Sequence, residues 1–191
     1  MFAGISNAAS SLKIRTLLED TAWYSSSSIR SRLPIERYNL TAGVSRDLDL
    51  VFAAVGGLYL DKLVIKDPFC GVQRNALCEF VKFIKSKVEV LSRVEVYCRE
   101  LHAQDKKYES PTQMRVRIAE LLQGFASTID VYVASFYKHR QFHDRSVEFR
   151  ILTRDGVSSS QHFDLTGGID YLMDPKVATT VYRYGSTPES A

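Results

Sequence analysis

With 191 residues, 45% of them hydrophobic and 25% charged, the chain has the make-up of a soluble globular protein, long enough for one domain and an extension. A formal charge of +3 is too small to imply a nucleic-acid or membrane partner by itself, and no apolar run approaches the roughly 18 residues that span a bilayer. Three cysteines, Cys70, Cys78 and Cys98, form no paired motif and leave one over, which fits thiols in a reducing cytoplasm rather than a disulfide or a metal site. Met1 to Ser11 lacks a basic stretch followed by an apolar core, so no secretory signal is expected.

Residues 1–43 read as an N-terminal extension. Ser11 to Asp20 predicts a short helix with Ile14, Leu17 and Leu18 on one side, the serine run 25–28 a loop, and Pro34 a break. Trp23 and Tyr24 suit either ordinary packing or an anchor for a partner, and the extension either packs on the main domain or docks on another subunit. From Ser45 the pattern sharpens. Leu48, Val51, Phe52 and Val55 recur at helical spacing, with Ser45 as a cap and Gly56-Gly57 as a stop. Leu58 to Lys66 predicts a buried strand ended by Asp67-Pro68, since proline cannot donate to a ladder. A helix is predicted over Arg74 to Val88, its core face Leu77, Phe80, Val81, Ile84 and Val88, with Arg74, Lys82 and Lys85 on a basic face that is either solvated or meets an anionic partner.

Val94 to Cys98 alternates as a second strand, and a polar loop, Gln104 to Glu109, follows. Ser110-Pro111 opens a third helix in the favoured order of cap then proline, with Met114, Ile118, Leu121, Leu122 and Phe125 inward and Gly124 near its end. Ile129 to Phe136 is a third strand. Alternation of strands and helices implies parallel crossovers and a central sheet covered by helices. After a loop at Tyr137 to Gln141, Val147 to Leu152 and Ser160 to Leu165 read as strands joined through Asp155-Gly156, Thr179 to Tyr184 as a last strand, and the polar tail from Ser186 as frayed.

The best site candidate is Phe142-His143-Asp144-Arg145 together with Asp67-Pro68-Phe69. Both stretches fall where a hydrophobic strand runs out into a loop, and in open α/β sheets sites gather beyond the carboxyl ends of the strands. Imidazole nitrogens and a guanidinium fork suit a phosphate, while Asp67 and Asp144 would hold His143 and Arg145 in place. The competing reading is an ion pair between Asp144 and an arginine, with His143 half-buried and satisfied. Gly167-Gly168 ahead of Ile169-Asp170 supplies either backbone donors to an anion or a plain turn. Cys98, at the end of the second strand, is a nucleophile candidate near His143, although no cysteine-protease signature surrounds it. There is no Walker loop, GxGxxG or GxSxG, and His102, His139, His143 and His162 miss zinc-ligand spacing, so neither metal nor cofactor is expected.

Taken in order, Leu60 to Phe69 with its Asp-Pro-Phe end, the helix Ala76 to Ile84, the triplet His143-Asp144-Arg145 and Gly168-Ile169-Asp170-Tyr171 resemble the phospholipase D-like C-terminal domain of proteins carrying a microtubule-interacting-and-trafficking (MIT) domain. The resemblance covers about residues 44 to 184 and implies an α/β phospholipase D-like sandwich, with a mixed, centrally parallel sheet flanked by helices. Domains are accordingly expected at 44–186, with 1–43 as a docking arm and 187–191 as a flexible tail. Catalytic relatives use a His-x-Lys-x-x-x-x-Asp motif twice, with the histidine as nucleophile. Here the matching positions read His143, Arg145 and Arg150, so lysine and acid are both replaced and only one copy exists. Thr166-Gly167-Gly168 stands where the family has Gly-Arg-Gly, and residues 1–43 are too short for the three-helix MIT module. The resemblance therefore implies a non-enzymatic binding module, cytoplasmic or peripheral to a membrane, that recognises anionic phospholipid through His143, Arg145, Asp144, Asp67 and Asp170. Two rivals are a nucleic-acid- or partner-binding subunit of a bacterial conflict or antiviral defence system, docking through residues 1–43, and a phosphodiesterase or nuclease completed by dimerisation with His143 as nucleophile. A homodimer is expected, since paired half-sites are usual in that superfamily and two-fold symmetry is the commonest oligomer.

Overall fold

A computed structural model of the chain describes residues 34–100, 109–134, 145–153 and 156–188. The chain divides into two units, Met1–Leu33 and Pro34–Ala191, and the first lies outside the described residues together with the predicted helix at Ser11 to Asp20, Trp23 and Tyr24. Described elements run in the order β1 (Pro34–Leu40), α1 (Leu48–Val51), a 3-10 turn (Ala53–Val55), β2 (Tyr59–Lys66), α2 (Arg74–Lys87), β3 (Val90–Arg99), α3 (Pro111–Leu122), β4 (Thr128–Ala134), β5 (Ser146–Leu152), β6 (Ser158–Leu165), α4 (Ile169–Met173) and β7 (Thr179–Pro188). The class is α/β. The strands form one open, mixed sheet of seven in the order β1-β7-β6-β5-β2-β3-β4. As the alternation of elements implied, β2, β3 and β4 are parallel, with α2 and α3 as their crossovers, whereas β5, β6, β7 and β1 join antiparallel.

The helices form where the sequence signals are strongest. In α2, Leu77, Phe80, Val81 and Ile84 are buried at intervals of three and four, and Lys85 and Lys87 stand in the last turn, where cations complement the helix dipole. In α3, Ser110 accepts from the Gln113 amide while the Gln113 side chain accepts from the Ser110 amide, and Pro111 begins the helix. Phe52 is the hub of the core. Its ring centroid lies 5.6 Å from Phe80, 5.8 Å from Phe149 and 5.1 Å from Phe163, joining the first helical turns to α2, β5 and β6. The face of the sheet away from these rings carries Lys62, Arg93, Glu95, Tyr97, Asp130 and Tyr132. There Glu95 holds Lys62 at 2.8 Å, Arg93 holds Asp130 at 2.6 Å, and Tyr97 stacks on Tyr132 at 4.5 Å.

Three expectations need correcting. The compact unit begins at Pro34, ahead of the boundary at residue 44. Pro34–Leu40 pairs with β7 as an edge strand, a place where proline at the first position loses no ladder bond. The first helix is capped by Asp47, whose carboxylate accepts from the Leu50 amide at 3.0 Å, rather than by Ser45, and it tightens into a 3-10 turn after Phe52 because a single turn is too short to hold α-helical hydrogen bonding. The tail does not fray at Ser186, since β7 continues to Pro188 by pairing Thr187 with Ser160 and Pro188 with Ser159. The loops at Gln104 to Tyr108 and Tyr137 to Gln141 lie outside the described residues.

Candidate functional site

One edge of the sheet collects the ends of β2 and β3 and the start of β5, because β5 runs antiparallel to β2 and pairs Ser146 with Lys66. Asp67 is the first residue beyond β2 and is 1% exposed. Its amide continues the ladder to the Tyr97 carbonyl at 3.0 Å. Its two carboxylate oxygens accept from the backbone amides of Phe69 at 2.9 Å and Ile169 at 2.8 Å. The anion facing the Gly167-Gly168 turn is thus an aspartate of the chain itself. Gly168 has φ +89°, and a Cβ there would come within 2.7 Å of the Asp67 carboxylate and 3.1 Å of an Asp170 carboxylate oxygen. A Cβ on Gly167 would meet the Tyr171 side chain at 2.5 Å. Both glycines are required by close approach, and the turn they make starts α4 against the end of β2.

Burial pushes the Asp67 carboxyl above its ordinary range, the two backbone donors pull it back down, the Asp170 charge raises it again, and the Arg145 guanidinium lowers it. These opposing influences place Asp67, Asp170 and Arg145 in one electrostatic neighbourhood. Arg145, immediately before β5, donates to the Thr166 carbonyl at 3.1 Å, and its guanidinium carbon lies 5.4 Å from the Phe69 ring centroid. Its other guanidinium donors have no acceptor among the described residues. Arg99, the last residue of β3, brings a second guanidinium to 4.3 Å from the same ring. Two cations therefore gather around one aromatic ring at the crevice edge.

The structure brings together Asp67, Asp170 and Arg145 from the predicted set, whereas His143 and Asp144 lie outside the described residues, as do His102 and His139. Asp67 differs from its expected role. Rather than gripping Arg145 by a hydrogen bond, it fixes the backbone that carries Phe69 and α4, because a buried carboxylate must satisfy both oxygens with nearby donors. Arg99 is the residue that sequence reasoning missed. Its only signal is its place one step beyond Cys98 at the end of an alternating strand.

Other candidates resolve into structure. Cys98 is 1% exposed with its sulfur 3.8 Å from that of Met114, which suits a core residue and not an accessible nucleophile. Cys70 is equally buried, and its thiol is pushed well up by the neighbouring Cys98 thiol and by burial. His162 on β6 is held by Asp164 at 2.8 Å and packs edge-on to Tyr184. Arg74 reaches Glu109 at 2.8 Å, and Arg117 reaches the same oxygen at 2.6 Å, so part of the basic face of α2 is tied to α3. No cluster of three or more metal-binding side chains occurs among the described residues. No helix among them is long and apolar enough to cross a membrane. Compared with known proteins, the chain matches no family model and no curated relative.

Proposed function

We propose that the chain is a non-enzymatic, phospholipase D-like module that recognises phosphate, with the headgroups of an anionic phospholipid surface as its ligand. The observation that carries this reading is the guanidinium fork of Arg145, which spends one donor on the Thr166 carbonyl and has no other acceptor among the described residues, beside Arg99 and Phe69 at the edge where the strands end. Phosphate oxygens take planar, charge-assisted donors, and a ring under a guanidinium orients it without consuming its N–H groups. Asp67 and Asp170 supply the framework and the balancing charge. The absence of turnover is supported by Arg150, which occupies the position of the family's acid, lies within β5 and pairs with Glu148 at 3.0 Å.

Flotation with vesicles of neutral phosphatidylcholine, alone or with added phosphatidylserine or phosphoinositide, tests the reading beside a gel-shift assay with short DNA. Wild type is expected to float only with the anionic vesicles. Arg145→Ala should weaken that binding by roughly 1.5–3 kcal/mol, the worth of a charge-assisted hydrogen bond. Binding to DNA alone would transfer the phosphate chemistry to nucleic acid, with the steep salt dependence that counterion release imposes. Unchanged binding by the Arg145→Ala variant would reduce Arg145 to a structural residue.

A further inference from the structure

The two edges of the sheet are built differently. β1 is a guarded edge: it starts with Pro34, carries Glu36 and Arg37, and breaks register between Pro34 and Glu36. β4, with the sequence Thr-Ile-Asp-Val-Tyr-Val-Ala, has no proline, no lysine and no register shift, and pairs only with β3 among the described strands. In a parallel ladder alternate residues direct both backbone groups to the same neighbour. The Ala134 carbonyl accepts from the Glu100 amide at 2.9 Å, so the residues in phase with it, Thr128, Asp130 and Tyr132, also face β3. Ile129, Val131 and Val133 therefore aim their N–H and C=O groups out of the sheet.

We infer that this edge pairs with the β4 edge of a second copy, antiparallel, about a two-fold axis through Val131. Only that register uses every outward group. Val131 meets Val131 of the other copy as a hydrogen-bonded pair, and Ile129 meets Val133 on either side. An axis midway between two residues sets outward groups against inward ones, and an axis through Asp130 or Tyr132 leaves Val133 or Ile129 without a partner on the strand. Shifted by two, the axis leaves one end of the strand without a partner. Charge decides in the same direction. The axis at Val131 puts Asp130 directly across from the uncharged Tyr132 of the other copy, and no carboxylate faces its own image. Asp130 is already balanced by Arg93 on its own sheet, and Tyr132, 44% exposed, gains a neighbour across the seam. The resulting interface is isologous and closes after two copies.

The register makes an opposite-sign prediction at one position. Tyr132→Asp places a carboxylate across from Asp130 twice per dimer, and Tyr132→Lys places an ammonium there twice, while both remove the same stack on Tyr97. The measurement is sedimentation equilibrium of the full chain at tens of micromolar, with far-UV circular dichroism to confirm folding. Wild type and Tyr132→Lys should approach twice the 21.6 kDa chain mass, and Tyr132→Asp should stay at it. A wild type that remains monomeric overturns the proposal and leaves the edge to a strand of a different protein. A dimer indifferent to Tyr132→Asp overturns it as well, because the contact then lies elsewhere. Equal loss in both variants overturns the register.

Discussion

At the residue scale, Asp67 ties the site together across 102 residues of sequence by binding the Ile169 amide. Replacing it by alanine leaves two amides without their acceptor, each costing about 1–3 kcal/mol if it stays buried. Urea unfolding of Asp67→Ala should show that loss, and its size should depend on pH. Burial raises the carboxyl of Asp67 in the folded state, so the folded chain holds that proton over a range where the unfolded chain has released it. Stability from this group is then greatest below the ordinary aspartate range and falls as pH rises through the raised value. The gap between wild type and Asp67→Ala should therefore be widest in acid and narrow toward neutrality. A gap that widens instead would mean that the backbone donors outweigh desolvation. That Asp67 ends a strand is legible from Asp67-Pro68, but the destination of its oxygens is not, because no local pattern encodes a bond from a side chain to so distant a backbone. Arg99 was hidden for a related reason. Which loop its guanidinium meets depends on the register of β2 against β3, and that register is set by the packing of the α2 crossover.

At the scale of elements, legibility follows local chemistry. Helices α2 and α3 were readable because their apolar spacing, and for α3 the cap, agree with each other before any tertiary contact forms. Ser110→Ala should remove the Gln113 amide's acceptor and cost about 0.5–2 kcal/mol, seen as a lower urea midpoint with an unchanged slope. Strand β1 escaped reading because Pro34 signals a break everywhere except at an edge, and whether a stretch is an edge is a property of the sheet. The first helix was misjudged in its extent for the opposite reason. Leu48, Val51, Phe52 and Val55 are all buried as helical spacing requires, yet the α-helical part stops at Val51.

At the scale of the whole molecule, one aromatic cluster bonds the helical layer to the sheet. Phe52 touches rings from α2, β5 and β6, so Phe52→Ala should cost about 3–5 kcal/mol, measured by chemical unfolding, and should lower stability far from the short turn in which it lies. The order of strands has a consequence for synthesis. β2 lies in the sheet between β3 and β5, but β5 begins only at Ser146, well after β2 and β3 have been made. Until then the hydrophobic run Leu63-Val64-Ile65 keeps one side of its backbone unpaired, the kind of transient edge on which nascent chains aggregate. β1 waits longer still, since its partner β7 is the last of the described strands to be made. A ribosome that pauses before residue 146 therefore holds a half-sheet with a sticky seam, and β1, the first of the described strands to emerge, is the last of them to find its place.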